Sequence, residues 1–200
     1  MPSPAERAEI ARALREEAYA LLEDTRFFEL LTRSFVDADP EVTGSASYDL
    51  MAWRDIDLHM SLGGERYRDW MNFGGTLLHF FDAMEMPLQQ ASFTNNWVEP
   101  DHSGPGLNWS LGFRDNFGNP WKMDLWGWDP FDYAVRQARD FALKTDLNDC
   151  DRDLVLRLKT EALTRDHYYG VRVSSMDIYQ FAIARAGESL SALEAWKRSQ

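Results

Sequence analysis

Three short stretches of this chain hold residue types at spacings that can do chemistry. Gly44-Ser45 is followed, after nine residues, by Asp55-Ile56-Asp57, and Asp124 stands much later in a second alternating stretch. Glycine at position 44 permits a turn that brings backbone N–H groups close to an anion, and Ser45 adds a hydroxyl donor. Carboxylates two positions apart on a strand point to the same face. Side by side they repel, and a divalent cation between them relieves that repulsion. Asp55, Asp57 and Asp124 are therefore candidate metal ligands. Gly44 and Ser45 are a candidate anion cradle, and Lys122, sharing the alternation of Asp124, is a cation for phosphate.

The elements that must position these groups can be read from periodicity. Asp55 to Met60 alternates, with Ile56, Leu58 and Met60 on one face and Asp55, Asp57 and His59 on the other. Trp109, Leu111 and Phe113 alternate in the same way, as do Trp121, Met123 and Leu125, around the loop from Asp115 to Pro120. Pairing Trp109 with Leu125, Leu111 with Met123 and Phe113 with Trp121 makes one face of this hairpin apolar. A one-residue slip would destroy the match. That register sets Ser110 across from Asp124 and Gly112 across from Lys122, small partners that leave open space.

Upstream, Ser3, Pro4 and Glu6 mark a capped helix running to about Asp24. Glu41 to Ser45 reads as a short strand entering a tight turn. Gly63-Gly64 breaks the Asp55 strand, and Tyr67, Trp70, Met71, Gly74, Leu77, Leu78 and Phe81 form a helical stripe. A strand from about Gln89 to Val98 and a loop from Pro100 to Gly106 precede the hairpin. Beyond Pro130 the pattern is helical. Phe131, Ala134, Val135, Ala138, Phe141 and Ala142 form one stripe, and further helices are expected over Asp151 to Thr164, from Ser174 to about Ala186, and over Glu188 to Lys197.

Composition narrows the function classes. The chain has 200 residues, 44% hydrophobic and 27% charged, which suits a folded globular chain. Lys and Arg number 21 against 33 Asp and Glu, net -12. That balance opposes the broad basic surface that neutralises nucleic-acid phosphates. Cys150 is the only cysteine, so an intramolecular disulfide and a cysteine zinc site are excluded. The first residues lack a basic and apolar leader, and no apolar run reaches about 18 residues. The expectation is a soluble, cytoplasmic chain with no membrane contact.

Gly-Ser, a spacer of this length, Asp-hydrophobic-Asp and a later strand with a third acid together resemble the nucleotidyltransferase superfamily of DNA polymerase β and the antibiotic nucleotidyltransferases. The resemblance covers about Phe35 to Trp128. It implies that Gly44 and Ser45 hold a triphosphate, that Asp55 and Asp57 ligate Mg2+ (or Mn2+), and that Asp124 binds a second metal or takes the acceptor's proton. Many members carry Arg soon after Gly-Ser, whereas this chain has Ala46-Ser47-Tyr48-Asp49. The tail around Ser175-Met176-Asp177-Ile178-Tyr179 resembles tails of bacterial nucleotidyltransferase-like proteins.

The fold class expected is α+β: a mixed, twisted sheet of about five strands with helices mainly on one face and a C-terminal helical segment. Residues 1–130 form the nucleotidyltransferase-like core and 131–200 the helical segment. The function implied is Mg2+-dependent transfer of a nucleoside monophosphate from a nucleoside triphosphate, ATP among them, to a hydroxyl of a small molecule or protein, not of a nucleic acid. Two alternatives remain open. One is a glycosyltransferase with a metal-binding Asp-x-Asp; the other is a non-enzymatic interaction module of toxin–antitoxin type. Secondary candidates are His59 as a metal ligand or a rim residue, Trp126 and Trp128 as stacking surfaces, Asp49, Asp101 and Asp115 on the rim, and Asp166, Tyr168 and Tyr169 beside an acceptor.

Overall fold

A computed structural model describes residues 2–62, 66–98 and 104–200. Gly63-Gly64, Asp101, His102 and most of the Pro100–Gly106 loop lie outside them. The described elements run α1 (Pro4–Asp24), α2 (Phe27–Ser34), β1 (Glu41–Thr43), α3 (Gly44–Ser47), β2 (Asp55–Ser61), α4 (Tyr67–Ala83), β3 (Leu88–Asn95), β4 (Leu107–Arg114), β5 (Pro120–Trp128), α5 (Pro130–Asn148), α6 (Arg152–Leu163), α7 (Ser175–Ile183) and α8 (Leu190–Arg198). The fold is α+β.

The strands form a five-stranded mixed sheet of order β1-β2-β5-β4-β3. Only β2 and β5 run parallel; the other neighbours are antiparallel. The hairpin takes the register that its alternation predicts, with Trp109 opposite Leu125, Leu111 opposite Met123 and Phe113 opposite Trp121. Ser110 accordingly faces Asp124 and Gly112 faces Lys122. The apolar faces of β2, β4 and β5 pack under α1, α2 and α4, in a core that includes Ile56, Leu58, Met123, Leu125, Trp70 and Phe81.

A second core joins α6, α7 and α8 to Ala11 of α1 and to Tyr48 and Leu50. Polar clamps reinforce this join. Arg7 of α1 makes a bidentate pair with Asp153 of α6, at 2.8 and 2.7 Å. Arg152 of α6 donates to the Tyr48 and Asp49 carbonyls at 3.2 and 2.8 Å, which fastens the tail to the segment that follows Gly44.

Four sequence expectations change in detail. Phe27–Ser34 is a helix that the sequence did not announce; it is eight residues long and starts from Arg26 in a left-handed conformation, without a side-chain cap. In α4, Phe73 is buried while Met71 and Leu78 face outward. Strand β3 ends at Asn95, three residues before Val98. The apolar stripe of α5 is the largest departure. Phe131 and Phe141 are 74% and 76% exposed, and the buried residues are Tyr133 and Leu147. The helix turns its polar side inward because that side closes the cleft described next.

Candidate active site

Strands β2 and β5 build the floor of a cavity of about 590 Å³. Because they run parallel and in register, Asp57 pairs with Asp124 and Asp55 with Lys122, all on the face opposite the core. Lys122 Nζ lies 2.6 Å from Asp124 Oδ2 and 3.6 Å from Asp55 Oδ1. The structure therefore brings Asp55, Asp57, Asp124 and Lys122 together. Burial pushes the Asp57 carboxyl well above the usual carboxylate range, and the charges of Asp55 and Asp124 push it further. Burial also raises Asp55, with the ammonium of Lys122 opposing it. For Lys122 the burial effect is outweighed by Asp55 and Asp124, which hold the ammonium above the usual lysine range.

Gly44 closes over Asp57. Its φ is +61°, and a Cβ built there would stand 2.3 Å from Asp57 Oδ2. Both facts require glycine: the backbone is left-handed, and the carboxylate occupies the side-chain space. Ser45, buried, turns its hydroxyl toward Lys159 of α6, whose Nζ donates to Ser45 Oγ at 2.6 Å and to the Leu50 carbonyl at 2.8 Å. Tyr179 of α7 completes the knot, its hydroxyl 3.0 Å from Ser45 Oγ and 3.3 Å from Lys159 Nζ. Three oxygens thus meet the three donors of a fully buried ammonium. The sequence reading missed Lys159. The available signal was a lysine inside the apolar stripe of Val155, Leu158 and Ala162.

The walls come from α5 and the start of α7. Arg136 and Asp140 line the cavity, together with Tyr48, Tyr169, Ser174 and Ser175. Tyr48 donates to Asp140 at 3.0 Å. His59 lines the same cavity. Burial, and then Arg136, push its pKa down to about 3, so it is neutral and packs edge-on against Trp128. Trp126 and Trp128 stack on one another at 4.6 Å, and Arg136 lies 3.3 Å over the Trp128 ring. Trp128 is buried by these neighbours and offers no free face.

Other residues fall elsewhere. Asp49 points to Arg152, 3.3 Å away, and does not line the cleft. Asp115 organises the hairpin loop, accepting from Phe117, Asn119 and Trp121, and borders a different cavity with Glu17 and Asp24. Tyr169 lines the cleft, Tyr168 bonds Glu194, and Asp166 is exposed.

The donor set fits a hard divalent cation, since it offers carboxylate oxygens alone. Asp55 Oδ1 and Asp124 Oδ1 are buried without a hydrogen-bond partner. As the side chains stand, no three His, Cys, Asp or Glu among the described residues close a cage; the ammonium of Lys122 stands between Asp55 and Asp124.

No family model and no curated protein matches this chain. Solved structures do. A structure of the RNA terminal uridylyl transferase Cid1 superposes on 88% of the chain with a TM-score of 0.52 at 14% identity. Another, of the Cid1 poly(U) polymerase, superposes on 88% with a TM-score of 0.50 at 16% identity. The chain spans about half the length of these proteins, 50% and 53% respectively. The likeness is one of fold: a polymerase β-like nucleotidyltransferase fold followed by helices. No helix among the described residues is long and apolar enough to cross a membrane.

Proposed function

We propose that this chain transfers a nucleoside monophosphate from a nucleoside triphosphate to a hydroxyl of a small molecule or protein, with Mg2+ (or Mn2+) held by Asp55, Asp57 and Asp124. One observation carries this reading. Asp57 and Asp124 face each other across parallel strands, beneath a Gly44 turn that no other residue could make. Carboxylates buried together at such a cost in repulsion and desolvation mark a functional site more often than a structural one.

Each residue then has a task. Gly44 presents the backbone that approaches a phosphate, and Lys159 with Tyr179 fixes the Ser45 hydroxyl beside it. Lys122, already next to Asp55 and Asp124, supplies a cation that can turn to a phosphate oxygen. Asp124, on the central strand opposite Ser110 of β4, takes the proton of the acceptor hydroxyl. Bound to these acids, Mg2+ would neutralise charge on the attacking and leaving oxygens.

The fold likeness to an RNA terminal uridylyl transferase favours a second reading, in which the acceptor is RNA. Net charge of -12 opposes it. Thermal melting with each nucleoside triphosphate, with and without Mg2+, tests the nucleotide site. A shift that needs both partners is expected, about 2.7 kcal/mol at a hundredfold excess over the dissociation constant. No shift with any triphosphate at millimolar metal overturns the enzyme reading and favours the interaction module. Salt-sensitive binding of short RNA would move the acceptor to the second reading.

A further inference from the structure

Helix α5 is built inside out. At 100° per residue, Phe131, Ala134, Val135, Ala138, Phe141 and Ala142 fall within an arc of about 120°. That apolar arc faces away from the protein: Phe131 and Phe141 are exposed, and Val135 is only half-buried. The opposite arc carries Tyr133, Arg136 and Asp140, of which Arg136 and Asp140 line the cleft. A helix whose polar side is committed to a site and whose apolar side meets water leaves a hydrophobic stripe to be covered.

We infer that a second copy of this chain covers it, through a two-fold, antiparallel pairing of α5 with α5. The stripe is complementary to itself in one register. Setting Phe131 against the partner's Phe141 places Ala134 against the partner's Ala138, with the two-fold axis at the level of residue 136 and the two copies of Val135 on either side of it. The alanines let the helix axes approach closely, and the phenylalanines close both ends. The rim decides between this occupant and an unrelated one. Asp132 and Arg139 sit one heptad apart on the same flank of the stripe. In that register Asp132 lies within one residue of level with the partner's Arg139, about 1.5 Å of helix rise and within reach of the long arginine side chain, and two-fold symmetry repeats the pair at the other end. A single helix carrying both signs, at the spacing an antiparallel copy needs, is charge-complementary to itself.

The interface is one helix pair, smaller than the standard assembly of about 1,600 Å². The dimer therefore dissociates on dilution, with a dissociation constant of roughly micromolar order. Because the reverse side of α5 carries Arg136 and Asp140, pairing also braces one wall of the cleft.

Sedimentation equilibrium of the full chain across a dilution series tests this. The wild type is expected to pass from monomer to dimer as concentration rises. Phe141→Asp, at an exposed position, should weaken association at least about tenfold, equivalent to 1.4 kcal/mol, while circular dichroism, and melting at dilutions where the wild type is monomeric, stay unchanged. Asp132→Arg alone and Arg139→Asp alone should each weaken it. The decisive arm mixes those two variants, because the mixed pair sets Arg against Asp at both ends. Their mixture should dimerise more tightly than either variant by itself. A wild type that stays monomeric at roughly millimolar concentration overturns the proposal. So does a dimer that survives Phe141→Asp with undiminished affinity, or a mixture that associates no better than its components.

Discussion

Strands β2 and β5 present the same alternation on both faces, yet the two faces do opposite physical work. On the core face Ile56, Leu58, Met123 and Leu125 are at most 1% exposed and pack under α1, α2 and α4. On the cleft face Asp55 and Asp124 flank the ammonium of Lys122, Asp57 stands beside them, and two buried oxygens are left without hydrogen bonds. One face stabilises the fold and the other is carried at a cost. A pleated strand gives its two faces independent chemistry, so substitutions one residue apart should have opposite consequences.

The largest expected effect falls on the cleft face. Asp124→Asn keeps the side chain's size and removes its charge and basicity. Nucleotide binding should survive within a few-fold, while transfer drops by roughly 10²–10⁴, as when a positioned base is lost. Asp57→Asn should weaken metal-dependent nucleotide binding itself, and it should raise the melting temperature, since a carboxylate held against its neighbours is removed. Equilibrium binding and single-turnover assays, run beside melting curves, separate these outcomes. A destabilised Asp57→Asn would break the contrast between the faces.

The next effect lies one residue along, on the core face. Leu58 is fully buried, so Leu58→Ala should cost about 2–5 kcal/mol in denaturant unfolding. The cleft geometry, read by metal-dependent nucleotide binding at low temperature, should be little changed. Lys159→Met sharpens the contrast from the tail. The substitution fills similar volume but leaves the Leu50 carbonyl without its Lys159 donor and Ser45 Oγ with Tyr179 as its remaining partner in the knot. A loss of about 1–3 kcal/mol is expected for such unsatisfied groups, together with weaker triphosphate binding as Ser45 loosens. Unchanged stability would mean that Tyr179 alone holds Ser45.

The same contrast explains which parts were legible beforehand. Alternation has a period of two and one buried face, so the faces of β2 and the hairpin register from Trp109 to Leu125 followed from residue types alone. The α5 stripe was legible as amphipathic, but periodicity does not say which side a neighbour will cover. Asp140 and Arg136 facing the cleft decided that. Lys159 depends on Ser45, 114 residues away, and no local pattern carries that distance. Asp49 and Asp115 show the converse: acids near the motif in sequence are turned away by Arg152 and by the hairpin loop. Helix α2, uncapped and short, had neither a start signal nor length to reveal it.

The smallest effect tests a cleft-side element that does contribute to stability. Ser174 lines the cavity and also caps α7 in a reciprocal box, accepting from the Asp177 N–H at 3.1 Å while its own N–H donates to Asp177 Oδ2 at 2.8 Å. Lys197 of α8 donates to the same oxygen at 2.7 Å. Burial alone would raise the Asp177 carboxyl, but Lys197 and the bonds to Ser174 outweigh it and hold the group below its ordinary value of 3.8. A carboxyl depressed in the folded state contributes stability that is present above its unfolded pKa and lost as pH falls through the folded one. Ser174→Ala should therefore cost about 1 kcal/mol near neutrality. The stability gap between wild type and Asp177→Asn should narrow once pH drops below about 4. Denaturant unfolding at a series of pH values measures both. A gap that stays constant into strong acid would mean that the cap acts through Ser174 alone and that the Asp177 charge contributes nothing.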